Sequence, residues 1–265
     1  METKELESLK MWFTNYVQEF DSDDKDISKN LALKLEHTKR VCKEIVGLGK
    51  ELQLNEGQLC LAEAMALFHD VGRFEQYTKY RTYLDMKSEN HAELGVKVLN
   101  KNQVLKNMQA EERSLIEKAV SYHNRKELPV DETEQCLFYT KLLRDADKLD
   151  IWKVVTDYYQ NKTGEENGAI VFELPDTNDF SDDACKNLIS GKLVDVNQIR
   201  CVNDFRLLQI SWIYDINFIP TFHRIRERKY LEIIREFLIE SKRIDHVLEI
   251  ALDYIDGRLK NDKGF

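Results

Sequence analysis

Apolar residues recur at intervals of three and four along most of this chain, the period of a helix with one buried face. A first helix is expected from Glu5 to Glu19, ending before the acidic stretch Asp21-Ser22-Asp23-Asp24. A second runs from about Asn30 to Gly49, with His37, Val41, Ile45 and Leu48 on one stripe. Asn55 is placed to cap a third, whose inner face carries Leu59, Ala62, Ala66 and His69 and which Gly72 should stop. Arg73 to Lys87 reads as a polar, tyrosine-rich connection. Ser88 then caps a helix with His91, Gly95 and Val98 on one face. Another spans about Glu111 to Asn124, with Ile116, Ala119, Val120 and His123 inward. The helix from about Thr133 puts Cys136, Thr140, Leu143 and Asp147 together. Asp145 lies about 200° from Leu143 around the axis, which favours Asp147 as the inward carboxylate.

Between Asn161 and Asn197 the periodicity lapses, and Gly164, Gly168, Pro175 and Gly191 punctuate the chain. An insertion over the surface is expected there, with a short hairpin around Ile170 to Leu174. Helical periodicity returns over Ile199–Tyr214, Tyr230–Ile239 and Ile244–Leu259. With no repeat, low-complexity tract or flexible linker, the simplest expectation is all-α: one elaborated helical domain over residues 1–265.

Composition narrows the function classes. Across 265 residues the 39 basic and 48 acidic side chains leave a net charge of −9, so the general attraction that nucleic-acid backbones need is missing. Five cysteines, an odd number without metal-type spacing, fit a reducing compartment. No signal-like leader or membrane-length apolar run occurs, and the expected location is cytoplasmic.

Six residues then stand out as a series: His37, His69-Asp70, His91, His123 and Asp147. Each falls where a helix turns inward, and a histidine or carboxylate there loses hydration and needs a partner. Divalent metal satisfies four imidazoles and two carboxylates together. The two oxygens of Asp70 suit it to bridge a pair of ions.

The order His, His-Asp, His, His, Asp resembles the HD-domain superfamily of metal-dependent phosphohydrolases, in its six-ligand, two-metal variety. The resemblance covers residues 30–155, the expected metal-binding core of an HD-domain helical fold with a C-terminal helical extension. LLRDADKLD at 142–150 is similar to the segment that carries the family's last ligand. The resemblance implies a first site of His37, His69, Asp70 and Asp147, and a second of Asp70, His91 and His123. Many members lack the second pair of histidines, so its presence favours two ions over one.

Such a centre suits in-line hydrolysis of a small phosphate ester or nucleotide by a metal-activated water. No Walker loop or serine nucleophile elbow offers another route. Asp70 is assigned the catalytic role of holding that water and sharing its proton. Arg73 and Lys148 are candidate contacts to the anionic substrate, each weighed against a salt bridge or a solvent-facing position. His223, Arg224, Arg226 and Arg228 form the densest basic segment, most simply a solvated helix face. Arg206, Trp212 and Tyr214 suggest core packing, and His246 an exposed position. Manganese, iron, cobalt, nickel and zinc all suit the donors. Two alternatives share the ligands: a di-iron HD-domain oxygenase and a non-catalytic regulatory module that keeps its metal.

Overall fold

The computed structural model describes residues 1–161 and 174–261, and among these every regular element is helical. The expected hairpin at 170–174 falls almost wholly outside the described residues. Two compact units emerge, Met1–Asp150 and Ile151–Phe265, so the boundary lies inside one helix. No described helix is long and apolar enough to cross a membrane.

In the first unit, α1 (Thr3–Gln18), α2 (Lys25–Glu51) and α3 (Glu56–Phe68) pack around Phe13, Val41, Ile45, Leu48, Met65 and Phe68. The second helix starts earlier than periodicity implies. Asp24, inside the acidic stretch, caps it by accepting from the backbone N–H of Asp26 at 2.9 Å and of Ile27 at 3.2 Å. The expected Asn55 cap is present, and Asn55 and Gln58 each accept from the other's backbone N–H.

The span 73–87 is not simply a connection: α4 (Gly72–Tyr80) occupies half of it. Its short polar sequence buries only Phe74, Gln76 and Tyr77 after Gly72, too few apolar positions to mark a stripe. Gly72 does not stop α3; it opens α4 where that helix crosses α5 (His91–Lys101). A Cβ there would lie 2.6 Å from the backbone nitrogen of Gly95 and closer still to the carbonyl oxygen of His91. The α5 cap is Asn90, which accepts from Ala92 and Glu93, whereas Ser88 donates to the Leu84 carbonyl. Next come α6 (Ala110–Tyr122) and α7 (Glu134–Gln160). Asp145, expected to face away from the core, is buried like Asp150. The middle of α7 is enclosed on more than one side, so angular position alone does not separate buried from exposed.

The second unit comprises the end of α7 with α8 (Asp182–Ile189), α9 (Val202–Ser211), α10 (Ile219–Glu227), α11 (Tyr230–Glu236) and α12 (Lys242–Asn261). Ile244, Val247, Ala251 and Ile255 make the buried stripe of α12. The expected insertion at 161–197 thus contains a helix, α8. Trp152, fully buried, donates its indole N–H to the Gln209 carbonyl at 3.0 Å. Trp212 stands 5.9 Å from the Trp152 ring, in keeping with core packing. In the basic segment Arg226 pairs with Glu232 and Asp256, and His223 and His246 are exposed.

Candidate metal centre

Helix ends supply most of the series. His69 caps the C-terminus of α3 and Asp70 follows in the turn. His91 is the first residue of α5, and His123 caps the C-terminus of α6. His37 and Asp147 project from within the long helices α2 and α7. Termini leave backbone groups unpaired, and the site uses them. His69 Nδ1 donates to the Ala66 carbonyl and His123 Nδ1 to the Val120 carbonyl, both at 2.7 Å and both three residues back. The other two imidazoles are held by carboxylates. His37 Nδ1 donates to Asp150 at 2.7 Å, and His91 Nδ1 to Asp85 at 2.7 Å.

With all four Nδ1 atoms facing acceptors, the free lone pair of each neutral ring sits on Nε2. Those Nε2 atoms meet in pairs, His37 with His69 at 3.2 Å and His91 with His123 at 3.1 Å. Where both rings are neutral, two nitrogen lone pairs cannot satisfy each other, whereas a cation bound between them satisfies both. Asp70 joins the pairs. Its Oδ2 lies 3.6 Å from the Nε2 of His37 and of His69, and its Oδ1 lies 3.4 Å from that of His91 and 4.0 Å from that of His123. Two groups can therefore hold a metal ion: His37, His69 and Asp70, and Asp70, His91 and His123. Asp147 stands beside the first, 3.1 Å from His37 Nε2 and 3.7 Å from His69 Nε2. The donor set fits divalent transition metals.

Electrostatics favour the neutral ring for His69, His91 and His123. Burial lowers the pKa of His69 and His91, and takes His123 to about 3 with help from the charges of His91 and His69. Burial and Lys34 also push His37 down, but its hydrogen bonds to Asp147 and Asp150 outweigh them and leave it raised. Burial alone would raise Asp70; Lys34, His69, Arg73 and His91 hold it well below the carboxylate range instead. Asp147 is lowered too, by its hydrogen bond to His37 against the cost of burial.

Several residues around the six carry no signal in the ligand series. Lys34 Nζ donates to Asp70 Oδ2 at 2.7 Å. Its place, three residues before His37 on α2, was the available clue. Arg40, three residues after His37, grips Asp150 with Nε at 2.6 Å and Nη2 at 3.0 Å. Asp85 receives Arg73, Gln76 and His91 at once, from a stretch without periodicity. Arg144 donates to the His123 carbonyl at 2.9 Å and so fixes the end of α6.

Arg73 leaves the same turn as Asp70. Its Nη1 serves Gln76, the Tyr83 carbonyl and Asp85, and its Nε stands 3.4 Å from Asp70 Oδ1. Tyr83 lies with its ring 5.2 Å from the Lys34 ammonium and 5.6 Å from the Arg73 guanidinium. Lys148 follows Asp147 on α7 and is half-buried.

Comparison with known proteins agrees with this geometry. Residues 35–152 match the family model of the HD domain. No curated protein and no solved structure matches the chain. The matched span runs from just before His37 to just beyond Asp147 and encloses the whole convergent set, so the similarity to the HD domain lies where the ligands converge.

Proposed function

We propose that this protein is a metal-dependent phosphohydrolase that binds two divalent ions and acts on a small phosphate ester or nucleotide. One observation carries the reading: each oxygen of Asp70 faces a different pair of imidazoles. A carboxylate so placed would serve two ions, one held with His37, His69 and Asp147 and the other with His91 and His123. Such ions, when bound, acidify a water and neutralise charge that develops on phosphoryl oxygens.

The chain's own residues provide the rest. Asp70 would hold the attacking water and share its proton through a hydrogen bond. Lys34 and Arg73 flank Asp70 with positive charge, where the phosphate of a substrate needs neutralising. Lys148, beside Asp147, is a further candidate for the substrate anion. Asp85 and Asp150 keep His91 and His37 oriented with Nε2 inward.

The test is elemental analysis, then phosphate release from a panel of phosphate esters and nucleotides with each reconstituted metal. Asp70→Ala should lose both ions and all turnover, while His123→Ala should lose mainly one ion and stay folded. Two ions and wild-type turnover in Asp70→Ala would overturn the reading. Four imidazoles also favour redox-capable iron, which supports a di-iron oxygenase as the second reading. Oxygen uptake without phosphate release in the iron-loaded protein would select it.

A further inference from the structure

Away from the metal centre, the second unit buries a cation with no counter-ion among its described residues. Arg206, on α9, is 6% exposed, and no carboxylate pairs with it among the described residues. Its Nη1 donates to Asn203 Oδ1 at 3.1 Å, and its guanidinium lies 5.1 Å from the centre of the Tyr159 ring. Asn203 is itself fixed, donating to the carbonyls of Thr177 at 2.8 Å and Asp179 at 3.1 Å. Among the described residues, the Nε–H of Arg206 is buried with no acceptor. One turn on, Gln209 is in the same condition: Tyr159 donates to its Oε1 at 3.2 Å, yet its buried Nε2 has no partner. Asn203, Arg206 and Gln209 follow at intervals of three, on one face of α9.

Buried polar groups are nearly always hydrogen-bonded, and a buried charge nearly always has a partner. Here two unmet donors, one cationic, stand three residues apart on the same helix face. The one acidic residue of α9, Asp204, is engaged elsewhere, accepting from the backbone N–H of Ser181 at 2.6 Å and of Arg200 at 2.9 Å. A guanidinium N–H left open in this way is suited to an oxygen of an oxyanion. Asn203 holds Nη1 and the Tyr159 ring lies beside the guanidinium, so the group is pre-positioned.

We propose that Arg206 and Gln209 form a binding site for a small oxyanion, the phosphate or carboxylate group of a ligand. Arg206 supplies the charge and the open N–H, Gln209 the additional neutral donor, and Asn203 and Tyr159 the orientation. The site is independent of the metal-centre reading and stands or falls separately.

The test follows the Nε–H resonance of Arg206 by NMR in the full-length protein, identified as the signal missing from Arg206→Lys. Inorganic phosphate and acetate are titrated separately at constant ionic strength, with chloride as control. A saturable shift with phosphate or acetate and none with chloride is expected, and the anion that acts at lower concentration identifies the ligand group. In parallel, Arg206→Met should lose the rise in Tm that this anion gives the wild type. An unmoved resonance, a response equal to that of chloride, or an undiminished anion-dependent rise in Arg206→Met would overturn the proposal. If Arg206→Met fails to fold, the wild-type resonance still decides.

Discussion

His37 and His91 depend on carboxylates, whereas His69 and His123 depend on carbonyls of their own helices, and the difference is open to experiment. An imidazole supported by a helix carbonyl keeps its orientation as long as the helix lasts. One supported by a side chain loses its guide when that side chain changes. Asp85→Asn removes the charge beside His91, and Asp150→Asn does the same for His37. Each should weaken metal binding by roughly 10–100-fold at its own position, leaving the other ion in place. Metal titration with elemental analysis checks this, and equal loss of both ions in either variant would refute separate support. Arg73→Lys keeps a positive charge but cannot serve Gln76, Tyr83 and Asp85 as the guanidinium does. If Arg73 also clamps substrate, phosphate release should fall roughly ten-fold or more with metal content nearly unchanged. Wild-type kinetics would leave it a purely structural role.

Helices with long apolar stripes were legible because periodicity reports burial directly: α2, α3, α6 and α12 lie close to where three-and-four spacing puts them. The ligand series was legible for the same reason, since its members interrupt or end those stripes. The orienting groups were not. Asp85 and Lys34 act through the meeting of distant segments, and α4 hides behind a polar composition. Gly72 illustrates the limit. Glycine near a helix end suggests a stop, but here it permits α4 and α5 to touch. Gly72→Ala would press a methyl group against the backbone of His91 and Gly95, neither of which can yield without moving α5. A loss of roughly 1–3 kcal/mol in stability is expected. Because α5 begins with His91, the same variant should lose metal chiefly from the Asp70–His91–His123 group. Urea unfolding and metal content measured together would show the coupling, and stability lost without metal loss would disprove it.

At the scale of the molecule, the linked ionisations make both stability and metal uptake depend on pH, with signs that differ among the histidines. In protein stripped of metal, the lowered pKa values of His69, His91 and His123 mean that the unfolded chain takes up protons before the folded one does. Destabilisation from these three begins as the pH falls below about 6.5, and for His123 it grows until about pH 3. Asp70 and Asp147, lowered in the fold, add to it once the pH drops through the ordinary carboxylate range. His37 has the opposite sign. Its raised pKa gives stability that is complete below about 6.5 and is lost as the pH rises through the folded value. The urea midpoint of the chelated protein should therefore peak close to pH 6.5 and fall steeply on the acid side. Metal binding reads the same asymmetry from the other direction, because each imidazole must be neutral to bind an ion. His69, His91 and His123, lowered in the fold, meet that condition more readily, whereas His37, raised by Asp147 and Asp150, holds its proton more strongly. Calorimetric titration of metal into chelated protein, in buffers of different ionisation enthalpy, should then detect proton release on binding at pH 7, most of it from His37. His37→Gln should remove most of that release while the Asp70–His91–His123 group still takes an ion. Undiminished release by His37→Gln would show that the charge is shared across the cluster and not held at His37.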